Sequence, residues 1–205
     1  MVISQLMGKG FSLTVLDGWL APSSADASRL LNGLLAHEKL LLFSEGSMTL
    51  ELELLTGKRG SVELKLRDER ALSGEEAEFL GVEPGALALE REVWLVAGGT
   101  KLLYAHTLIP VQCLDKEVGR ALDEKSSEPL GRVLSSKGVL FAKERLEAGV
   151  VKCEAASTEL GLDRGASLYA RRYILYNKGT LGWVIKAAVT EVFSPTLVGA
   201  QGVSR

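Results

Sequence analysis

Two segments of twelve residues in this chain have nearly the same sequence, and this similarity limits the folds the chain can adopt. Residues 80–91 read LGVEPGALALER, and residues 160–171 read LGLDRGASLYAR. Three identities continue downstream at the same spacing: Leu95 with Leu175, Gly99 with Gly179, and Thr100 with Thr180. A short helix ending at a glycine, followed by two strands around a glycine turn, fits both copies. The sequence therefore predicts an internal helix-hairpin repeat over residues 75–110 and 154–195.

Composition indicates one globular domain and excludes several function classes. The 205 residues are 46% hydrophobic and 24% charged, which suits a single domain spanning 1–205. The formal net charge of −2 gives no field that attracts nucleic acid or anionic lipid, so neither is expected as a partner. The opening MVISQLMGKG is too short an apolar run for a signal peptide. No stretch reaches the ~18 apolar residues of a membrane span, so we expect a soluble, cytoplasmic protein.

Metal and redox chemistry have few candidate residues. Cys113 and Cys153 lack a paired spacing, and His37 and His106 are the only histidines. We therefore expect reduced thiols, no metal site and no disulfide. Signatures of nucleotide-binding, zinc-protease and serine-hydrolase sites are absent from the sequence.

Hydrophobic periodicity predicts an α+β fold with an antiparallel sheet. SSADASRLLNGLLAHEKLLLF has helical spacing, and a second helix is expected near 114–124. Apolar and polar residues alternate in both SMTLELELLT and SVELKLRDE, which predicts a hairpin with one solvent-exposed face. Together with the hairpins at the turns 97–100 and 177–180, this gives a six-stranded antiparallel sheet with helices on one face.

Two charged residues lie where a buried sheet face is expected. On a strand, residues two apart share a face. Arg91 would therefore share a face with Val93 and Leu95, and Glu191 with Val189 and Phe193. Buried charges are unfavourable unless they are paired or bound to a ligand. The residues therefore allow two interpretations. Arg91 and Glu191 form an internal ion pair, or Arg91 binds a carboxylate while Glu191 acts as an acid/base group or hydroxyl acceptor.

An ordered set of short motifs resembles the chorismate pyruvate-lyase family. The motifs are SMT at 47–49, REV at 91–93, HTLIP at 106–110, EPLGR at 128–132, ARRY at 170–173 and TEVF at 190–193. The resemblance covers the chain from about Leu34 to Leu197. It implies elimination of pyruvate from chorismate to give 4-hydroxybenzoate, a precursor in quinone biosynthesis, without metal or organic cofactor.

The resemblance also implies roles for particular residues. Arg91 would bind the ring carboxylate, and Glu191 would approach the ring hydroxyl. Met48 and Leu130 would line the pocket and offer backbone N–H groups, with Thr49 and Gly131 shaping it. A second cation should meet the other carboxylate. The candidates for this position are Arg132, Arg171, Arg172, Lys186 and His106.

Other functions stay open at this point. The helix-hairpin repeat also resembles the UTRA effector-binding domain of GntR-type regulators, which shares the lyase fold. The alternative function is therefore a sensor of small aromatic acids, and a further one is an enzyme acting on a related enol ether or hydroxybenzoate. AHT stands where the family often has GRT, and the segment between PLGR and ARRY is longer than usual, so the lid and the exact substrate are open. A monomer and a small homo-oligomer are both compatible with the sequence.

Overall fold

A computed structural model describes residues 5–7, 11–180 and 182–199, with the backbone alone for residues 5–7. One antiparallel sheet runs through these residues in the order β1-β2-β6-β7-β8-β5-β4-β3. Its strands are β1 (Gln5–Met7), β2 (Ser12–Val15), β3 (Gly60–Ala71), β4 (Leu87–Ala97), β5 (Thr100–Pro110), β6 (Ala142–Cys153), β7 (Ser167–Gly179) and β8 (Gly182–Phe193). The α+β class is confirmed. The six-stranded sheet is wrong, since seven strands follow Ser12 and the three-residue β1 extends them to eight.

Seven α-helices connect these strands within the described residues. They are α1 (Ala27–Leu30), α2 (Ala36–Phe43), α3 (Met48–Thr56), α4 (Gly74–Leu80), α5 (Lys116–Glu124), α6 (Leu130–Ser136) and α7 (Glu154–Glu159). The single helix expected before Phe43 is divided into α1 and α2, with Gly33 at φ 79° between them. No helix in this part of the chain is both long and apolar enough to cross a membrane.

Side-chain caps fix the start of two helices. Ser73 accepts a hydrogen bond from the Glu76 backbone N–H and begins α4. Asp115 accepts from the N–H groups of Glu117 and Val118 and begins α5, the helix expected near 114–124. Such caps satisfy donors that have no partner within the helix.

The segment SMTLELELLT forms helix α3, so the predicted first hairpin is wrong. Leucine and glutamate favour helices, and the alternation of apolar residues that suggested a strand is incidental here. Met48 and Leu52, four residues apart, are buried, whereas Leu50 and Leu54 are exposed. Gly57 ends the helix in the left-handed conformation at φ 65°. β3 therefore pairs with β4 along the whole length of β3 rather than with residues 47–56.

Helices cover both faces of the sheet, which corrects the expectation of helices on one face. Leu41 of α2 and Leu52 of α3 pack with Val93, and α5 and α6 pack on the same face with Leu89 and Val189. We call this the cavity face. On the opposite face Leu80 of α4 packs against Ala88 and Leu108, and α7 packs beside Trp94 and Val192.

Strands β4 and β5 are buried on both faces of the sheet, including the three charged residues Glu90, Arg91 and Glu92 of β4. After its first residue, β4 is buried throughout, and β5 is buried from Leu102 onward. Burial of consecutive residues, whose side chains point to opposite faces, indicates a sheet between two layers.

The two predicted copies have the same order of elements. Helix α4 precedes the hairpin of β4 and β5, and helix α7 precedes the hairpin of β7 and β8. The turn at 97–100 is confirmed, with Gly98 and Gly99 at positive φ. The turn predicted at 177–180 is displaced, because Gly179 pairs with Gly182 and residue 181 lies outside the described residues. The internal repeat itself stays a prediction.

Candidate active site

A cavity lies on the cavity face between the sheet, the first turns of α3 and α6, and the start of β6. Including its opening to solvent, it has a volume of about 570 Å³. Six predicted site residues line it: Met48, Thr49, Arg91, Leu130, Gly131 and Glu191. Phe141, Lys143, Tyr173 and Thr107 also contribute to the wall. The two charged residues singled out on the sheet therefore face a common space.

Arg91 is a buried cation without a carboxylate partner among the described residues. Its side chain is 6% exposed, and Nη2 donates to the carbonyl oxygens of Ser126 (2.7 Å) and Glu128 (3.1 Å). Its Nε is buried without a hydrogen-bond partner. Burial and, secondarily, the nearby Arg67 lower the pKa of Arg91 to about 10, so it keeps its charge at neutral pH. This arrangement suits an anionic ligand.

Glu191 is held from two directions by neighbours on β7. Oε2 accepts a hydrogen bond from Nε of Arg171 at 2.5 Å, and Oε1 accepts one from the Tyr173 hydroxyl at 3.2 Å. Burial, followed by the charge of Glu191, raises the pKa of Tyr173 well above 10, so this phenol stays a donor. The interpretation of an Arg91–Glu191 ion pair is wrong, because Glu191 pairs with Arg171.

Arg171 anchors the wall next to the cavity. Its side chain is fully buried, and Nη1 donates to the carbonyl oxygens of Leu41 (2.8 Å) and Ser44 (3.0 Å). The guanidinium therefore connects β8 to the end of α2. Arg171 thereby holds the Glu191 carboxylate in place, and it is not among the residues that line the cavity described above, so its role as a substrate-binding residue stays a prediction.

Met48 and Leu130 both occupy the first position of a helix. Met48 begins α3 after Ser47, and Leu130 begins α6 after Pro129. Backbone N–H groups in a first turn have no partner within the helix, which leaves donors next to the cavity. At Gly131 an added Cβ would contact the Phe141 ring at 3.5 Å, so a larger side chain would narrow the space.

His106 lies on the opposite face, which corrects its assignment to the substrate site. Side chains alternate along a strand, so Ala105 and Thr107 line the cavity while His106 points away. Its Nε2 lies 2.7 Å from Oε1 of Glu90, and its ring stacks on Phe11 at 4.3 Å.

Other candidates for a second cation are engaged elsewhere. Arg132 pairs with Glu53 at 2.6 Å, and Arg172 pairs with Glu147 at 2.7 Å. The Lys186 ammonium lies 5.0 Å from the Trp183 ring centroid. None of the three lines the cavity described above.

Lys143 is the cation that the sequence reasoning missed. It lies near the start of β6 and lines the cavity, where Nζ donates to the carbonyl of Gly46 at 2.7 Å. Burial, followed by the charge of Arg171, lowers the pKa of Lys143 to about 8. Phe141, which lies two residues earlier and just before β6, also lines the cavity.

One group of described residues has the composition of a metal site. Glu90, Glu92 and His106 bring potential ligand atoms within 4.8 Å of one another, on the opposite face from the cavity. Glu90 already pairs with Arg70 at 2.9 Å, and Glu92 accepts a hydrogen bond from Tyr104. A metal ion there would compete with the Arg70 guanidinium for Glu90. The absence of a metal site stays a prediction.

Comparison with known proteins identifies the family. The model described as "Chorismate pyruvate-lyase Rv2949c-like" matches residues 42–201. The chain belongs to this chorismate pyruvate-lyase family. A probable chorismate pyruvate-lyase of Pseudomonas aeruginosa is 30% identical over 165 residues, covering 80% of this chain and 86% of the relative. One from Shewanella amazonensis is 30% identical over 185 residues, covering 86% and 87%.

Comparison with solved structures shows that this chain has a fold similar to that of effector domains of transcription regulators. The effector domain of PhnF from Mycobacterium smegmatis has a TM-score of 0.56 at 17% identity, covering 76% of this chain and 93% of that domain. The C-terminal domain of the histidine utilization repressor from Pseudomonas syringae has a TM-score of 0.53 at 13% identity, covering 72% and 99%. These likenesses confirm the expected UTRA-like fold.

Proposed function

We propose that this protein eliminates pyruvate from chorismate to form 4-hydroxybenzoate. The proposal rests on one observation. The guanidinium of Arg91 is buried without a carboxylate partner among the described residues, and it lines the same cavity as Glu191. A planar guanidinium binds both oxygens of a carboxylate at once, which fixes the orientation of the ring. Membership of the lyase family supports chorismate as the ligand.

In the proposed pose the ring lies between Arg91 and Glu191. The ring carboxylate binds Arg91, and the hydroxyl at the other end faces the Glu191 carboxylate. Backbone N–H groups at Met48 and Leu130 complete the wall. The cavity then contributes mainly orientation and charge complementarity.

The reaction balances without an added reagent. The bond between the ring and the enolpyruvyl oxygen breaks with its electron pair, and the carbon bearing the hydroxyl loses its hydrogen as a proton. The ring becomes aromatic as 4-hydroxybenzoate, and the enolpyruvate takes up a proton to become pyruvate. Aromatisation drives the step, so the proposal needs neither metal nor organic cofactor. In this proposal Glu191 orients the hydroxyl and accepts the ring proton.

The test is incubation of the purified protein with chorismate, with pyruvate and 4-hydroxybenzoate quantified. We expect both products in equal amounts. Glu191→Gln should lower turnover about 100-fold or more, because an amide keeps the shape but accepts no proton. The matched control is Glu117→Gln on α5, whose side chain is 67% exposed, and its turnover should not change. Equal losses in the two variants would remove Glu191 from the mechanism.

A sensor of aromatic acids is the second candidate function. The structural likeness to regulator effector domains favours it, since those domains have the same architecture. Tight binding of 4-hydroxybenzoate without release of pyruvate from chorismate would support the sensor. Formation of both products would exclude it as the sole function.

A further inference from the structure

Two cationic side chains, Arg91 and Lys143, line the cavity. Neither lies within ion-pair distance of a carboxylate of the described residues. Arg91 has only carbonyl partners, and Lys143 likewise contacts carbonyl oxygens and a ring. Glu191 offers no compensation because its charge is already matched by Arg171. Glu45, Glu51 and Glu191 act on Lys143 only at longer range. A ligand with two negative charges would balance the cavity, whereas a monoanion would leave one cation unmatched.

The Lys143 ammonium is held in place with donor capacity to spare. Nζ donates to the carbonyl of Gly46 at 2.7 Å and lies 3.4 Å from that of Ser44. It also lies 4.7 Å from the centroid of the Tyr173 ring. An ammonium group has three N–H donors, so at least one can serve a ligand. The carbonyls and the ring restrict the otherwise flexible side chain to the cavity wall.

The order of the strands places Lys143 on the far side of Glu191 from Arg91. Arg91 is on β4, Glu191 is on β8 and Lys143 is on β6, in a sheet ordered β6-β7-β8-β5-β4. Glu191 is therefore two strands from each cation, or roughly 10 Å measured across the strands. Along the strands, Lys143 is level with Ala187 through Leu175, four residues before Glu191. Ala148 of β6 and Val93 of β4 belong to one apolar cluster, so the sheet curves around the cavity.

We propose that Lys143 binds the carboxylate of the enolpyruvyl side chain; this inference rests on the proposed function. In chorismate the ring carboxylate and the hydroxyl lie at opposite ends of the ring, and the enolpyruvyl group is attached next to the hydroxyl-bearing carbon. A ring bound between Arg91 and Glu191 therefore extends its side chain beyond Glu191. The cation that lines the cavity on that side is Lys143.

The proposal makes Lys143 a residue that distinguishes substrate from aromatic product. 4-Hydroxybenzoate keeps the groups that bind Arg91 and Glu191 but has no second carboxylate. Removing the charge at position 143 should therefore weaken the binding of chorismate and leave the binding of 4-hydroxybenzoate unchanged. A purely structural role of Lys143 would affect both ligands alike.

The experiment compares Lys143→Met with Lys152→Met, an exposed lysine on the same strand. For Lys143→Met we expect the KM for chorismate to rise about 10- to 100-fold, the range for a lost charged hydrogen bond. The Kd of 4-hydroxybenzoate, measured by calorimetry, should stay within about twofold, which also shows that the variant is folded. Lys152→Met should change neither value, and Lys143→Arg should restore part of the chorismate affinity.

Equal weakening of both ligands, or no weakening of chorismate, would overturn the role of Lys143. The two proposals can fail separately. If the wild-type protein binds chorismate without forming products, the proposed function fails, and the Kd of chorismate for the two variants still tests Lys143. If the wild-type protein does not bind chorismate, both proposals fail.

Discussion

Arg91 and Arg171 end the two copies of the repeated phrase, yet their surroundings differ. Arg171 lies opposite Glu191 in the register of β7 and β8, and its Nε binds that carboxylate at 2.5 Å. Arg91 lies opposite Thr107 in the register of β4 and β5, and it binds only carbonyl oxygens. Each guanidinium leaves one buried nitrogen without a partner, so the difference lies in the carboxylate. A residue on the neighbouring strand thus makes one arginine structural and leaves the other available to an anion.

The largest expected effect concerns stability. Arg171→Met should lower the free energy of unfolding by about 3–5 kcal/mol, because it leaves the Glu191 carboxylate buried without a cation. Arg91→Met should change it by about 1 kcal/mol or less in either direction. No carboxylate loses its partner, and the relief of a buried charge offsets the two carbonyl oxygens that lose a donor. Urea unfolding of both variants measures the difference.

The exposed Arg164→Met provides the control for this comparison, because the Arg164 side chain is 78% exposed. We expect a change within about 0.5 kcal/mol for that substitution. Equal destabilisation by Arg91→Met and Arg171→Met would contradict the division into a structural and a ligand-binding arginine.

The next effect concerns ligand affinity. Arg91→Lys keeps the charge but loses the planar fork, so binding of 4-hydroxybenzoate should weaken by about 1–3 kcal/mol. Isothermal calorimetry measures the Kd, with Arg164→Lys as the matched substitution at an exposed site. Unchanged affinity in Arg91→Lys would exclude Arg91 as the carboxylate receptor.

The smallest expected effect concerns the pH dependence of stability. It compares Arg171 with Lys143, two cationic side chains close to the same cavity. Lys143 lacks a carboxylate partner and its pKa is lowered to about 8, so its charged form lowers stability below that pH. Between pH 8 and about 10.4, the usual lysine value, the unfolded chain binds more protons than the folded one, and stability rises with pH. Lys143→Met should therefore raise the free energy of unfolding at pH 7 by about 1 kcal/mol, a common size for a stabilising substitution.

Urea unfolding at pH 7 and pH 10 measures this contribution. The difference between Lys143→Met and the wild-type protein should be smaller at pH 10 than at pH 7. A constant difference at both values would show that the lysine charge does not oppose folding.

Local patterns predicted the elements that carry strong periodicity or turn chemistry. The sequence predicted the hairpin at Gly98 and Gly99 and the helix near 114–124. It also predicted Arg91 and Glu191 on a buried face of the sheet. The helix α3 was not predicted, because five alternating leucine and glutamate residues satisfy a strand pattern while favouring a helix. Only packing of Met48 and Leu52 against the sheet distinguishes the two.

The residues of the candidate site also divide into those that the sequence predicted and those that it did not. Met48, Thr49, Leu130 and Gly131 were expected from the motifs of the family, and the structure brings them to one cavity with Arg91 and Glu191. His106 was misplaced because a motif gives a residue's position in the chain but not the face its side chain occupies. Lys143 was missed because β6 begins with a polar stretch, and its contact with the cavity depends on the loop at Gly46.

The sequence by itself determined the hydrophobic alternation, the glycine turns, the order of the motifs and the presence of two arginines at equivalent places in a repeated phrase. The tertiary structure alone decided which arginine meets a carboxylate, which face His106 takes and which lysine reaches the cavity. The physical reason is that charge pairing depends on the register between paired strands, and in the hairpin of β7 and β8 this register includes an irregularity between Asn177 and Lys178. A local pattern cannot specify that register, whereas burial in a shared core fixes it.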